Sequence, residues 1–190
     1  EGFDPQMIGG LPAHLQNNSE RLTRLGHFWY ADKVLTDFIH TMRDCYPESL
    51  YVVTGDHADR MNVETTPSLY ERYAIPLVLY GPGVNSSLIP PSAAGSQIDI
   101  TPTLLELIAP QGFVYYSVGK SLTLGGGEAG INNALWITGH FIGKIGGPEV
   151  EPLPGTENGL EKPDPAAIKD YIDAVRALSW WRICRGKNIE

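Results

Sequence analysis

The residues best placed for chemistry are Asp56 and His57, side by side in Thr54-Gly55-Asp56-His57-Ala58-Asp59. A carboxylate oxygen beside an imidazole nitrogen makes half of a site for a hard or borderline divalent cation. The run before them, Leu50-Tyr51-Val52-Val53-Thr54, is apolar and β-branched. It predicts a strand buried on both faces, as in a parallel sheet. Such a strand delivers Asp56 and His57 to its C-terminal edge, where ligands bind in open α/β sheets. Gly55 reads as the turn that lets both side chains face one ion. The same residues admit a plainer reading, in which Asp56 caps a turn and His57 is a surface group. Asp59 and Arg60 follow directly and are candidates to meet substrate charge, or else form a solvated loop pair.

The elements that must hold this pair follow α/β grammar. Residues 1–18 are broken by Gly and Pro and read as a loop. Apolar residues then recur at three- and four-residue steps from Leu22 to Met42, predicting a helix over 20–44 capped by Ser19. A second strand is expected over 75–80, ended by Gly81-Pro82-Gly83. Asp99 or Thr101 is expected to cap a helix over 99–108, with Pro102 in its first turn. The two strands are expected to be neighbours in one mixed or parallel sheet, with both helices on its faces. Past Pro110 the signal weakens to two short strands around Gly139 and an exposed stretch at 146–165. Asp164-Pro165 opens a last helix, expected over 164–185. The resulting division is 1–18, 19–110, 111–163 and 164–185 within a single partial domain.

Composition narrows the functional classes. A net charge of -8 over 190 residues argues against a nucleic-acid partner, whose phosphates are held mainly by Lys and Arg. No stretch approaches the roughly 20 apolar residues of a membrane span, and the start is unlike a signal peptide. The chain opens at Glu1 without an initiator Met, so a portion of something longer is expected. Cys45 and Cys184 read as small semi-buried hydrophobes or, outside the cytoplasm, as a bridge. Gly125-Gly126-Gly127 marks a turn and not a phosphate cradle, since no Lys-Ser or Lys-Thr follows. His14, His27, His40 and His140 carry no motif. Trp180-Trp181-Arg182 with Arg185 and Lys187 invites a membrane-surface reading; the reading preferred docks Trp181 into the core, with a solvated basic end.

Four segments in order resemble the C-terminal half of the catalytic domain of the alkaline phosphatase superfamily. They are closest to its sulfatase branch, with the lipoteichoic acid synthases and phosphoethanolamine transferases. Phe28-Trp29-Tyr30-Ala31-Asp32 with Phe38-Ile39 resembles the family helix, and Tyr51-Val52-Val53-Thr54-Gly55-Asp56-His57 its strand-Gly-Asp-His metal motif. Ile75-Pro76-Leu77-Val78-Leu79-Tyr80-Gly81-Pro82-Gly83 resembles its second strand, and Asp99-Ile100-Thr101-Pro102-Thr103-Leu104-Leu105 its Asp-x-x-Pro-Thr-Leu-Leu helix. The resemblance implies an α/β/α sandwich with a mostly parallel sheet and helices on both faces. It implies a metal-dependent hydrolase or transferase of phosphoryl, phosphoglycerol-type or sulfuryl esters, lipid-linked substrates included. Asp56 and His57 are then two ligands of Mn or Zn, with Mg or Ca as lesser candidates. The acidic ligand and the nucleophilic Thr or Ser are expected upstream, in the missing N-terminal half. Gln97 stands where many relatives carry a His, which favours a one-metal site. The parent is expected to be membrane-anchored and extracytoplasmic, and the chain alone inactive and prone to self-association through an open sheet edge. The alternative is a non-catalytic remnant or accessory module that keeps the scaffold and half of the metal site.

Overall fold

The computed structural model describes residues 4, 11–58, 62–123 and 127–185. The chain forms two compact units, Glu1–Val84 and Asn85–Glu190. It is α/β throughout, as its sequence implies.

In the first unit, α1 (Ala13–Gln16) is a single turn and α2 (Ser19–Cys45) is the long helix expected over 20–44. Its cap is Asn18 and not Ser19: the Asn18 side chain accepts the Arg21 backbone N–H at 3.0 Å. Strands β1 (Tyr51–Thr54) and β2 (Leu77–Tyr80) are neighbours, as expected. They run antiparallel, pairing Tyr51 with Tyr80 and Thr54 with Leu77, so the expected mostly parallel sheet is corrected. Apolar runs signal burial but carry no information on strand direction. Nor are the strands buried on both faces: β1 is half-buried and β2 alternates half-buried with exposed. Between them stands α3 (Leu69–Tyr73). Ser68 and Glu71 form its capping box, a Ser-x-x-Glu signal legible in the sequence. The apolar stripe of α2 buries no side chain, which corrects its expected burial against the sheet. A helix of 27 residues is about 40 Å long, whereas strands of four residues span about 13 Å.

In the second unit, α4 (Gln97–Ile108) begins two residues earlier than expected, behind a Ser96 N-cap. Asp99 is the N3 partner of that cap: its Oδ2 accepts the Ser96 N–H at 2.7 Å. Its Oδ1 accepts the Lys120 N–H at 2.8 Å, and the residue is only 2% exposed. Pro102 lies in the second turn, not the first. It cannot donate to the Ile98 carbonyl, and Gly119 packs over that carbonyl so closely that a Cβ would lie 2.1 Å away. Thr103 is fully buried; its hydroxyl donates to the Asp99 carbonyl at 2.6 Å and accepts the Leu122 N–H at 2.9 Å.

The remaining strands are β3 (Ala129–Ile131), β4 (Leu135–Thr138), β5 (Phe141–Lys144) and β6 (Val150–Pro152), an antiparallel meander in that order. Trp136 and Phe141 on this sheet pack against Ile172 of α5 (Pro165–Arg185), with Ile168 alongside. The Trp136 indole lies over its cross-strand partner Gly143, where a Cβ would meet it at 2.4 Å. Trp181 does not dock into the core, contrary to expectation. It is 44% exposed, because the meander covers α5 only around Ile168 and Ile172. Both cysteines are exposed free thiols and not semi-buried. Gly125, Gly126 and Lys187 lie outside the described residues.

Thr103→Val keeps shape but removes the acceptor of a buried N–H. We expect a loss of about 1–3 kcal/mol in urea denaturation, with faster hydrogen exchange at the Leu122 amide. A loss below about 0.5 kcal/mol would show that Leu122 needs no such partner.

Candidate metal centre

β1 ends at Thr54, and the chain bends at Asp56. The His57 backbone N–H donates to Asp56 Oδ1 at 2.8 Å. That bond fixes the carboxylate plane and turns Oδ2 toward His57 Nε2, 3.4 Å away. Gly55 is not what permits this arrangement. Its φ is not positive, and a Cβ there would sit 3.5 Å from Ile75, an ordinary contact.

The pair fits a metal by donor chemistry and spacing. Two ligand atoms about 2.0–2.1 Å from one tetrahedral ion stand about 3.4 Å apart. Both side chains are open to solvent, Asp56 at 88% and His57 at 48%. They line one cleft of about 600 Å³ whose apolar wall includes Phe28, Val63, Ile75 and Pro76. Two further carboxylates line the cleft, and both have structural partners. Glu71 closes the α3 capping box through the Ser68 N–H at 2.8 Å. Glu64 meets His14 Nε2 at 2.9 Å and Arg21 at 3.4 Å. No group of three or more His, Cys, Asp or Glu is assembled among the described residues. Asp59 and Arg60, the candidate substrate contacts, lie outside them.

Next to this cleft is a second, of about 410 Å³, which shares Asn62, Val63, Glu64 and Pro67 with it. Its wall is cationic. Arg21 donates to Thr65 at 3.2 Å and Arg24 to the Asn62 carbonyl, so α2 grips the 62–65 segment. His14 completes that grip, a role with no sequence signal, because its partner lies 50 positions away. His27, His40 and His140 are exposed, in keeping with their lack of any motif.

The hydrogen bond from His14, with the charge of Arg21 behind it, holds the Glu64 carboxyl below its ordinary pKa of 4.5. A carboxylate lowered on folding stabilises above its unfolded pKa, and the gain is lost as pH falls through the folded value. We therefore expect the 62–65 segment to hold from neutrality to about pH 4.5 and to loosen below it, read as hydrogen exchange at Glu64 and Thr65. In Glu64→Gln that acid step should vanish. An unchanged step would place its origin in another group.

The sulfatase family model matches residues 4–109, more than half of the chain, and spans α2, β1, the Asp56-His57 bend, β2 and α4. No curated protein and no solved structure matches the chain. With the family model matched over more than half of its length, the chain belongs to the sulfatase family, within the alkaline phosphatase superfamily.

Proposed function

We propose that the chain is the C-terminal portion of a metal-dependent enzyme that hydrolyses or transfers a phosphoryl, phosphoglycerol-type or sulfuryl ester. Asp56 and His57 supply two ligands of one divalent cation, Mn or Zn. The observation that carries this reading is the 3.4 Å spacing of Asp56 Oδ2 and His57 Nε2 at the end of β1. A bound divalent cation would lower the pKa of an attacking hydroxyl and offset charge on the ester oxygens. The chain's own residues do the holding. The His57 backbone N–H orients the carboxylate, β1 leads the chain to the bend that carries both residues, and Phe28, Ile75 and Pro76 wall one side of the cleft. Two protein ligands leave the rest of a coordination sphere to other donors. In this reading the acidic ligand and the Thr or Ser nucleophile come from upstream sequence, as does any membrane anchor. The closest functional model is the lipoteichoic acid synthase and phosphoethanolamine transferase type, acting outside the cytoplasm on a lipid-linked ester.

The test is titration calorimetry with Mn and with Zn, on this chain and on a form extended upstream. In the extended form, Asp56→Ala and His57→Ala should each weaken binding by roughly 10–100-fold or more, since even loss of groups supporting a ligand costs that much. The 190-residue chain should bind weakly and turn over neither a chromogenic phosphodiester nor a sulfate ester. Affinity in the extended form that neither substitution changes would overturn the metal assignment and favour a non-catalytic accessory module. Metal-dependent turnover by the chain itself, lost in His57→Ala, would show that the nucleophile lies within it.

A further inference from the structure

Beyond Val175, α5 buries nothing. Trp180 and Ile183 are 68% and 74% exposed, and Trp181 is half-exposed beside them. The guanidinium of Arg182 lies 5.9 Å from the centre of the Tyr116 ring, which brings the 113–116 segment to the same tip. Phe113, Val114 and Tyr116 on that segment are all well exposed. Aromatic and aliphatic side chains from two separate stretches of chain thus stand exposed around one helix end. Folded soluble domains seldom leave such a patch open unless it binds something.

Charge selects what it binds. The chain as a whole is acidic, at -8, yet residues 174–189 hold Arg176, Arg182, Arg185 and Lys187 and no Asp or Glu. Residues 109–119 are uncharged. Arg176 is tied to the Asn133 carbonyl at 3.2 Å, which leaves Arg182 and Arg185 as the cations of the tip among the described residues. These two also stand in the last turn of α5, where they offset the negative end of the helix dipole that would otherwise repel anions. A second copy would set cations against cations. The core of a protein interface would be depleted of charge. Amphipathic Trp and Tyr rings, aliphatic side chains and two arginines match the boundary between lipid headgroups and acyl chains.

We propose that the tip of α5, together with residues 113–116, docks on an anionic lipid bilayer. Trp180, Trp181, Ile183 and Val114 enter the headgroup boundary while Arg182 and Arg185 hold lipid phosphates. This surface is independent of the Asp56-His57 reading and stands or falls separately.

The experiment is co-sedimentation of the full chain with phosphatidylcholine vesicles, with and without phosphatidylglycerol, followed also by tryptophan fluorescence. Binding should require phosphatidylglycerol, weaken with added salt, and shift the emission to the blue. The double variants Trp180→Ser/Trp181→Ser and Arg182→Gln/Arg185→Gln should each lose roughly tenfold or more in partitioning. Their folds should survive, because nothing past Val175 is buried, and circular dichroism checks this. Lys33→Gln on α2 should bind as the parent does. Equal binding to both vesicles, or partitioning unmoved by either double variant, would overturn the proposal. So would an effect of the variants confined to self-association in analytical ultracentrifugation, which would assign the surface to a second copy.

Discussion

Four residue pairs, Tyr51–Thr54 laddered antiparallel on Leu77–Tyr80, decide what the first unit can present. Asp56 and His57 leave the end of that ladder, so their backbones inherit its rigidity while their side chains stay in solvent. A two-stranded ladder is marginal in water by itself, and the ties around it matter accordingly. Arg43 of α2 donates to the Tyr80 hydroxyl. Arg21 and Arg24 grip residues 62–65, and the capping box starts α3 just before the chain turns into β2. The arginine ties join groups far apart in sequence, so the site is a product of the tertiary fold rather than of the Asp-His dipeptide.

The carboxylates divide by what holds them. Asp99 is buried and accepts two backbone N–H groups, which fixes the start of α4 and the Lys120 segment. Glu71 accepts the Ser68 N–H, and Glu64 meets His14 and Arg21. Each of these would have to give up a structural partner before it could ligate a cation. Asp56 differs in exposure: its Oδ1 takes the His57 N–H, and its side chain is almost wholly in water. A solvent-exposed carboxylate with an imidazole nitrogen 3.4 Å away offers two donors at one bend, which is why chemistry is assigned there and not to the network beside it.

The scaffold was legible where one physical rule acts alone. Three- and four-residue spacing from Leu22 to Met42 marked α2, and the apolar run at 51–54 marked β1. Strand direction was not legible, since a connection of the length of 55–76 can serve either sense. The Ser68-Leu69-Tyr70-Glu71 box was present in the sequence and overlooked because five residues make too short a helix for periodicity. Asp99 was read as a cap and proved to be the distal half of one, since Ser96 lies three residues earlier. Trp181 was misread because periodicity along α5 continues past the point where the meander ends. A helix stripe says which face prefers cover and nothing about how far the cover reaches. Of the candidate centre, the pairing of Asp56 with His57 was visible, but the His14–Glu64–Arg21 network was not, because no local pattern relates positions that far apart.

Two uncovered surfaces of different character remain, and the difference bears on the proposed chemistry. The tip of α5 is apolar and cationic. The stripe on α2, through Phe28, Val34 and Phe38, is apolar with Asp32, Lys33 and Asp37 interleaved. That face of α2 is exposed, and the two strands of the first unit are about a third of the helix's length. Both β1 and β2 keep one edge unpaired among the described residues. A further strand on either edge would satisfy open backbone groups. Laid beside β1, such a strand would carry its own end to the edge where Asp56 and His57 emerge, which is where additional ligands would have to arrive. If Asp56 and His57 ligate a cation as proposed, one added strand would serve the open sheet edge and the coordination together.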